Sequence, residues 1–264
     1  CKRAISQLLC AAQLCYHPFM VTILLVRHGQ NDWVKQKRLA GWIDGVHLDE
    51  TGHKQAQGVA ARLAHLPISA VYSSPLTRCR ETAAYIAEAL QLEVEELPPI
   101  GEVRYGEWEG AEIEKLAKEK SWYAVQHYPS RFRFPGGEAL REVQARAVQA
   151  LEEVALRHDN RAMVVAVSHA DLIKLVLAHY LGIHIDLFQR IIISPASVSV
   201  LALMDNGVVR VVRMNDDGPL QPPPEEKKKP DGEEQAEAEA GAHHNGETNS
   251  HHKESPSEEE SERN

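Results

Sequence analysis

Three short apolar runs each stop abruptly at a residue able to do chemistry. Residues 21–26 (VTILLV) run into Arg27-His28-Gly29, residues 69–73 into Ser74, and residues 162–167 (AMVVAV) into Ser168-His169. Continuous β-branched and aliphatic runs of this length read as strands buried on both faces, the kind found in parallel sheets covered by helices. In open α/β sheets, sites form beyond the carboxyl ends of the strands. That is where these polar residues stand.

The intervening segments have helical spacing. Residues 51–66 repeat Ala56, Val59, Ala60 and Leu63 on one face. Ser74-Pro75 opens a second helix, with Pro75 in its first turn and Cys79, Ala83, Ile86 and Leu90 as its buried stripe. Residues 138–157 are amphipathic, with Leu140, Val143, Ala147, Leu151 and Val154 aligned. Residues 171–181 form a further helix that Gly182 ends. Residues 93–97 read as another strand, and 191–193, 198–204 and 208–212 as closing strands, the last two joined by an Asn206-Gly207 hairpin turn. This alternation predicts an α/β fold, a three-layer sandwich with a mostly parallel central sheet flanked by helices. Residues 98–137 are irregular and rich in Gly and Pro, with short helical pieces at 112–118 and 121–126. They read as a lid or insert over a site.

The formal charge of -9 is concentrated at one end. Between Asp216 and Asn264 lie 15 acidic and 5 basic residues, against 23 and 24 before them. The body is near neutral, so a broad basic nucleic-acid surface is not indicated. No apolar stretch approaches the roughly 18 residues of a membrane helix. Cys79 is the one cysteine outside the first fifteen residues, and there is no CxxC pair; a reducing cytoplasm is expected. The domain is expected at 20–215. Residues 1–19 precede Met20 and the first strand and read as a non-native or disordered leader. Lys2-Arg3 makes a targeting segment the rival reading, but Gln7 and Gln13 interrupt its apolar region. Residues 216–264 have almost no large apolar side chain after Leu220 and read as a disordered acidic tail. Its His243-His244 and His251-His252 pairs read as solvated rather than metal-binding.

His28 is a candidate nucleophile, because neutral imidazole attacks phosphorus to give a labile phosphoramidate. Arg27 offers a planar fork to phosphate oxygens. Arg78 falls in the first turn of the helix after Ser73-Ser74, near the partial positive charge of a helix N-terminus; a surface ion pair with Glu81 or Glu88 is its alternative. For Arg80 the surface reading is preferred. Glu102, set among Gly101, Gly106 and Gly110, is a candidate general acid. Glu107 and Glu109 read as solvent-facing or locally hydrogen-bonded, and Trp108 as packing. His169 shares the rim with His28 and can donate to a phosphoryl oxygen. Two His and two Arg at three strand ends point to one phosphate site.

Taken in order, these segments resemble the histidine phosphatase superfamily, also called phosphoglycerate mutase-like. Its RHG signature matches Arg27-His28-Gly29. The arginine of its SSxLxR segment matches Arg78, its acid segment matches Glu102 through Gly110, and its SHG segment matches Ser168-His169-Ala170. Residues 45–52 and 186–190 resemble a bacterial branch labelled probable phosphomutase. The resemblance implies that His28 takes the phosphoryl group. Arg27, Arg78 and His169 hold its oxygens, and Glu102 protonates the leaving group and then activates water. No metal or cofactor is implied. Asn31, Arg104 and Tyr105 are expected as further phosphate or substrate contacts. Arg104, Arg131, Arg133 and Lys174 are either readers of a second anionic group or plain solvated charges. The chain departs from the pattern at Gln30 (usually Glu), Val34 (usually Asn, with Asn31 placed to compensate) and Ala170 (usually Gly). It also lacks the Ser that usually follows Pro135-Gly136-Gly137-Glu138.

The expected activity is metal-independent hydrolysis of a small phosphorylated metabolite through a phosphohistidine. A 2,3-bisphosphoglycerate-dependent phosphoglycerate mutase needs the same residues, but the 194 residues from Met20 to Arg213 lack the long inserts such mutases carry. A phosphate-binding pseudoenzyme with a recruiting tail is a third reading, which the complete set of reactive residues argues against. The expected partner is a small phosphomonoester, with no nucleic acid and no membrane; a homodimer stays open.

Overall fold

A computed structural model of the chain describes residues 20–204 and 207–218. The expected leader, the tail beyond Gly218 and Asn206 of the hairpin turn lie outside the described residues. Six strands form one sheet: β1 (Met20–Arg27), β2 (Ile68–Ser73), β3 (Val94–Glu96), β4 (Met163–Ser168), β5 (Val198–Met204) and β6 (Val209–Asp216). Their order is β3-β2-β4-β1-β5-β6. The pairs β2/β3, β2/β4 and β1/β4 are parallel, whereas β1/β5 and β5/β6 are antiparallel.

The helices are α1 (Asp32–Lys35), α2 (Glu50–Leu63), α3 (Thr77–Leu90), α4 (Ile113–Leu116), α5 (Lys120–His127), α6 (Leu140–Leu156) and α7 (Ala170–Tyr180). Side-chain alternation along the central strands feeds two cores. Ile23, Leu25, Val164 and Ala166 pack with α6 and α7 residues such as Leu151, Ile173 and Leu177. Leu24, Val26, Val165 and Val167 pack on the other face with Val59, Ala60, Cys79 and Ile86 of α2 and α3. Burial on both faces is why these strands read as unbroken apolar runs. The three-layer sandwich follows.

Three local expectations change. Residues 191–193 are not a strand. They form an irregular segment whose Ile193 carbonyl accepts from Arg27 Nη1 at 2.6 Å, a bond that no sheet neighbour provides. α3 begins at Thr77 with Leu76 as its N-cap, so Pro75 precedes the first turn instead of occupying it. The last strand, expected over 208–212, is β6 and runs through Asp216, where a carboxylate oxygen lies 2.5 Å from Arg62 Nη2.

Residues 98–137 pack as a wall. Trp108 contacts Trp122, Phe132 and Phe134 with ring centroids 5.3–6.0 Å apart, and Phe134 meets Tyr105 at 5.0 Å. Aromatic rings in such arrangements are stiff as well as buried, so Tyr105 is held against the sheet. No helix among the described residues is long and apolar enough to cross a membrane.

Candidate active site

Parallel pairing places the ends of β1, β2 and β4 side by side: Arg27 stands opposite Ser168, and Ser73 opposite Val167. The residues that follow, His28, Ser74 and His169, therefore converge, and all three are buried. Of these, His28 lines a cleft of roughly 360 Å³ together with Arg27, Asn31, Arg78, Glu102 and Tyr105; Ser74 and His169 lie behind that lining.

His28 Nδ1 lies 2.7 Å from the Gly29 carbonyl oxygen. A carbonyl only accepts, so the ring proton sits on Nδ1 and Nε2 keeps its lone pair. Burial, reinforced by Arg78 and Arg27, holds the His28 pKa well below the usual imidazole range. The ring is thus neutral at pH 7, as a nucleophile requires. The loop that carries it is pressed onto the start of α2. A Cβ on Gly29 would lie 2.6 Å from the Gly52 carbonyl oxygen, and one on Gly52 would collide with the Gln30 carbonyl.

Three buried donors in the cleft have no hydrogen-bond partner among the described residues: Arg27 Nε, Asn31 Nδ2 and Arg78 Nη1. Their neighbouring atoms are committed to the protein. Arg78 Nη2 donates to the Gly41 carbonyl at 2.9 Å, and Asn31 Oδ1 caps α1 by accepting from Val34 N–H at 2.9 Å. A buried donor without an acceptor is costly, and three around one space suit an oxyanion. Arg78 is only 2% exposed, which removes the surface ion-pair reading, whereas Arg80 is exposed and paired with Glu96.

His169 caps the start of α7, with its Nε2 2.8 Å from Ser74 Oγ. When Ser74 donates to Nε2, the ring proton sits on Nδ1, which lies 3.7 Å from Glu102 Oε2. Burial and Arg78 hold this imidazole well below its usual pKa also. Ala170 is absent from the positive-φ residues, so the methyl that replaces the family glycine is unstrained.

Glu102 is buried, and its Oε1 accepts from Val103 N–H at 3.0 Å. Burial first, then the charge of Asp171, pushes its pKa up to about 7, against the pull of Arg78 and Arg27. Its backbone carbonyl is pinned from two sides, by Trp42 Nε1 at 2.6 Å and by Arg146 Nη2 at 2.9 Å. Arg146 also donates to the Pro99 and Gly101 carbonyls and to Glu138. Sequence reading picks out Ser74 at its strand end but not its bond to His169, and it misses Trp42 and Arg146 as supports. Arg146 was visible only as a charge in helix α6, with no local signal of its targets.

The remaining candidates divide. Asn31, Tyr105 and Lys174 line the cleft. Arg104 does not: it is exposed and stacks on the Trp42 ring, with its guanidinium 3.7 Å from the centroid. Arg131 and Arg133 also lie outside the lining, and Arg133 pairs with Glu142. Glu107 is exposed and Glu109 accepts from Trp42 N–H, as expected, while Trp108 belongs to the core.

The description "Histidine phosphatase superfamily (branch 1)" matches residues 23–217. The chain belongs to this superfamily. It is 34% identical over 201 residues to phosphoserine phosphatase 1 of Hydrogenobacter thermophilus, covering 74% of this chain and 92% of that one. It is 33% identical over 160 residues to a metal-independent phosphoserine phosphatase of Arabidopsis thaliana, covering 58% and 66%. The solved structure of Bacillus stearothermophilus YhfR superposes with a TM-score of 0.70 at 25% identity, covering 74% and 97%. As a histidine phosphatase, the chain is a phosphoryl-transfer enzyme acting on small phosphorylated metabolites.

Proposed function

We propose that His28 is the nucleophile of a two-step hydrolysis of a small phosphomonoester. The observation that carries this is that His28, whose Nε2 keeps its lone pair, lines the same cleft as three donors without a partner among the described residues, Arg27 Nε, Asn31 Nδ2 and Arg78 Nη1. In the first step the N–P bond forms at Nε2 as the P–O bond to the leaving group breaks, and Glu102 gives its proton to that oxygen. In the second, Glu102 takes a proton from water as the new O–P bond forms and the N–P bond breaks. Arg27, Arg78, Asn31 and His169 hold the equatorial oxygens, where charge spreads in phosphoryl transfer. The names of the relatives put phosphoserine first among substrates to try. The cytoplasm is the proposed location, since the described cysteine, Cys79, is a buried free thiol.

The test is phosphate release in EDTA by wild type and His28→Ala. The panel is phosphoserine, an aryl phosphate, and 3-phosphoglycerate with and without 2,3-bisphosphoglycerate. Release that depends on His28 is expected. Interconversion of phosphoglycerates with little release would make the protein a mutase, and silence across the panel with tight phosphate binding would favour a binding role.

A further inference from the structure

Asp171 stands in the first turn of α7, two residues beyond His169, and lines the same cleft as Glu102. Its carboxylate accepts twice: from the Tyr105 hydroxyl at Oδ2, 3.0 Å, and from Lys174 Nζ at Oδ1, 3.0 Å. Lys174 also donates to Gln189 Oε1 at 3.0 Å, which fixes the ammonium in place. Burial opposes the charge on Asp171, but Lys174 and the two hydrogen bonds outweigh it, so the group stays below the usual carboxylate range. The Tyr105 phenol is held protonated by burial and by Asp171 itself, so it remains a donor.

Glu102 is the second carboxyl of this cleft. No Lys or Arg side chain forms an ion pair with it among the described residues. The charged and titratable groups around it are Arg27 from the end of β1, Arg78 and the Cys79 thiol from α3, His28 and His169 from the strand ends, Tyr105 from its own loop, and Asp171 and Lys174 from α7. Arg146 approaches from α6 but bonds its backbone carbonyl. Arg27 and Arg78 favour ionisation of Glu102. Once a phosphoryl dianion binds, their charge is matched by its oxygens, and the dianion adds its own repulsion to that of Asp171.

We propose that Asp171 is a positioning residue for the general acid: its negative charge, anchored by Lys174 and Tyr105, keeps Glu102 in the protonated form that leaving-group departure needs. The inference rests on the function proposed above. It assigns two carboxyl groups opposite protonation states through their surroundings, a common arrangement where one must act as an acid near pH 7. The same repulsion serves the second step. After Glu102 has delivered its proton, its carboxylate beside Asp171 is a stronger base towards water, and taking that proton restores the starting state.

A purely structural role for Asp171, as a first-turn charge paired with Lys174, predicts a change in stability and no change in the pH profile. The experiment is therefore the pH dependence of kcat/KM on an alkyl phosphomonoester for wild type, Asp171→Asn, Asp171→Glu and Tyr105→Phe. Substrate ionisation is common to all four and cancels. Asp171→Asn is expected to move the alkaline limb down by about one pH unit and to lower kcat/KM at pH 8 about tenfold. An aryl phosphate, whose leaving group needs little protonation, should lose much less. Asp171→Glu should bring the limb back towards wild type, and Tyr105→Phe, which keeps the charge, should leave the limb in place. If Asp171→Asn does not fold, Asp171→Ser replaces it, since Ser is at home near a helix start. An active uncharged variant whose alkaline limb stays put overturns the inference. Wild type without His28-dependent release overturns the proposed function instead, so the two failures are distinguishable.

Discussion

The rings of His28 and His169 meet edge to face, with centroids 5.2 Å apart and planes inclined at 62°. Neither loop could hold this geometry alone. The Arg27–Ser168 register between β1 and β4 sets the separation of the two rings, and the Gly29 and Ser74 contacts set their orientation.

His28→Ala removes the only proposed acceptor of the phosphoryl group. Turnover should fall by at least about a thousandfold, and acid-labile incorporation of labelled phosphate should disappear. A variant with normal turnover would remove the nucleophile assignment.

Glu102→Gln should slow alkyl phosphates far more than aryl phosphates, and a uniform loss would count against general-acid catalysis. Stability supplies a second readout. The Glu102 pKa is raised from 4.5 to about 7 on folding, so the native state binds more protons between those values, and wild-type stability falls as pH rises through that window. The variant lacks this penalty. It should melt higher than wild type at pH 8, by on the order of 1–3 kcal/mol, with the advantage gone at pH 4.

Asn31 has two roles on two atoms: Oδ1 caps α1, and the buried Nδ2, on a residue that lines the cleft, has no partner among the described residues. Asn31→Asp keeps the acceptor and replaces the donor with negative charge. Its melting temperature should stay close to wild type, while kcat/KM falls by roughly 10- to 100-fold. Asn31→Ala should lose the cap as well, at about 1 kcal/mol. Equal activity in wild type and Asn31→Asp would separate Asn31 from phosphate binding.

Arg146→Lys preserves charge but not the fork that reaches the Pro99, Gly101 and Glu102 carbonyls together. Loss of stability by about 2–3 kcal/mol is expected in chemical denaturation, with kcat falling more than KM rises. Unchanged kcat in the folded variant would show that the Glu102 loop keeps its place without the fork.

Much of this was legible in the chain. Buried central strands must be apolar on both faces, so they announce themselves locally, and their ends point to Arg27, His28 and His169. Arg78 is legible as a first-turn residue after a strand end, and Glu102 as a carboxylate set among three glycines. Where reading failed, the outcome depended on distant partners. Residues 191–193 have strand-forming side chains, yet Ile193 gives its carbonyl to Arg27, 166 positions away. Arg104 has the charge of a substrate reader but is stacked on Trp42, outside the cleft.

The sequence by itself determined the layers of the fold, because periodicity and burial are properties of neighbouring residues. It also determined which reactive groups stand at the strand ends. Tertiary structure alone decided their protonation states and orientations. These depend on burial, on the Tyr105–Asp171 contact spanning 66 positions, and on Arg146 reaching back 44 positions to Glu102. Electrostatic energy depends on distance in space and on exclusion of water, and neither is encoded by adjacency along the chain.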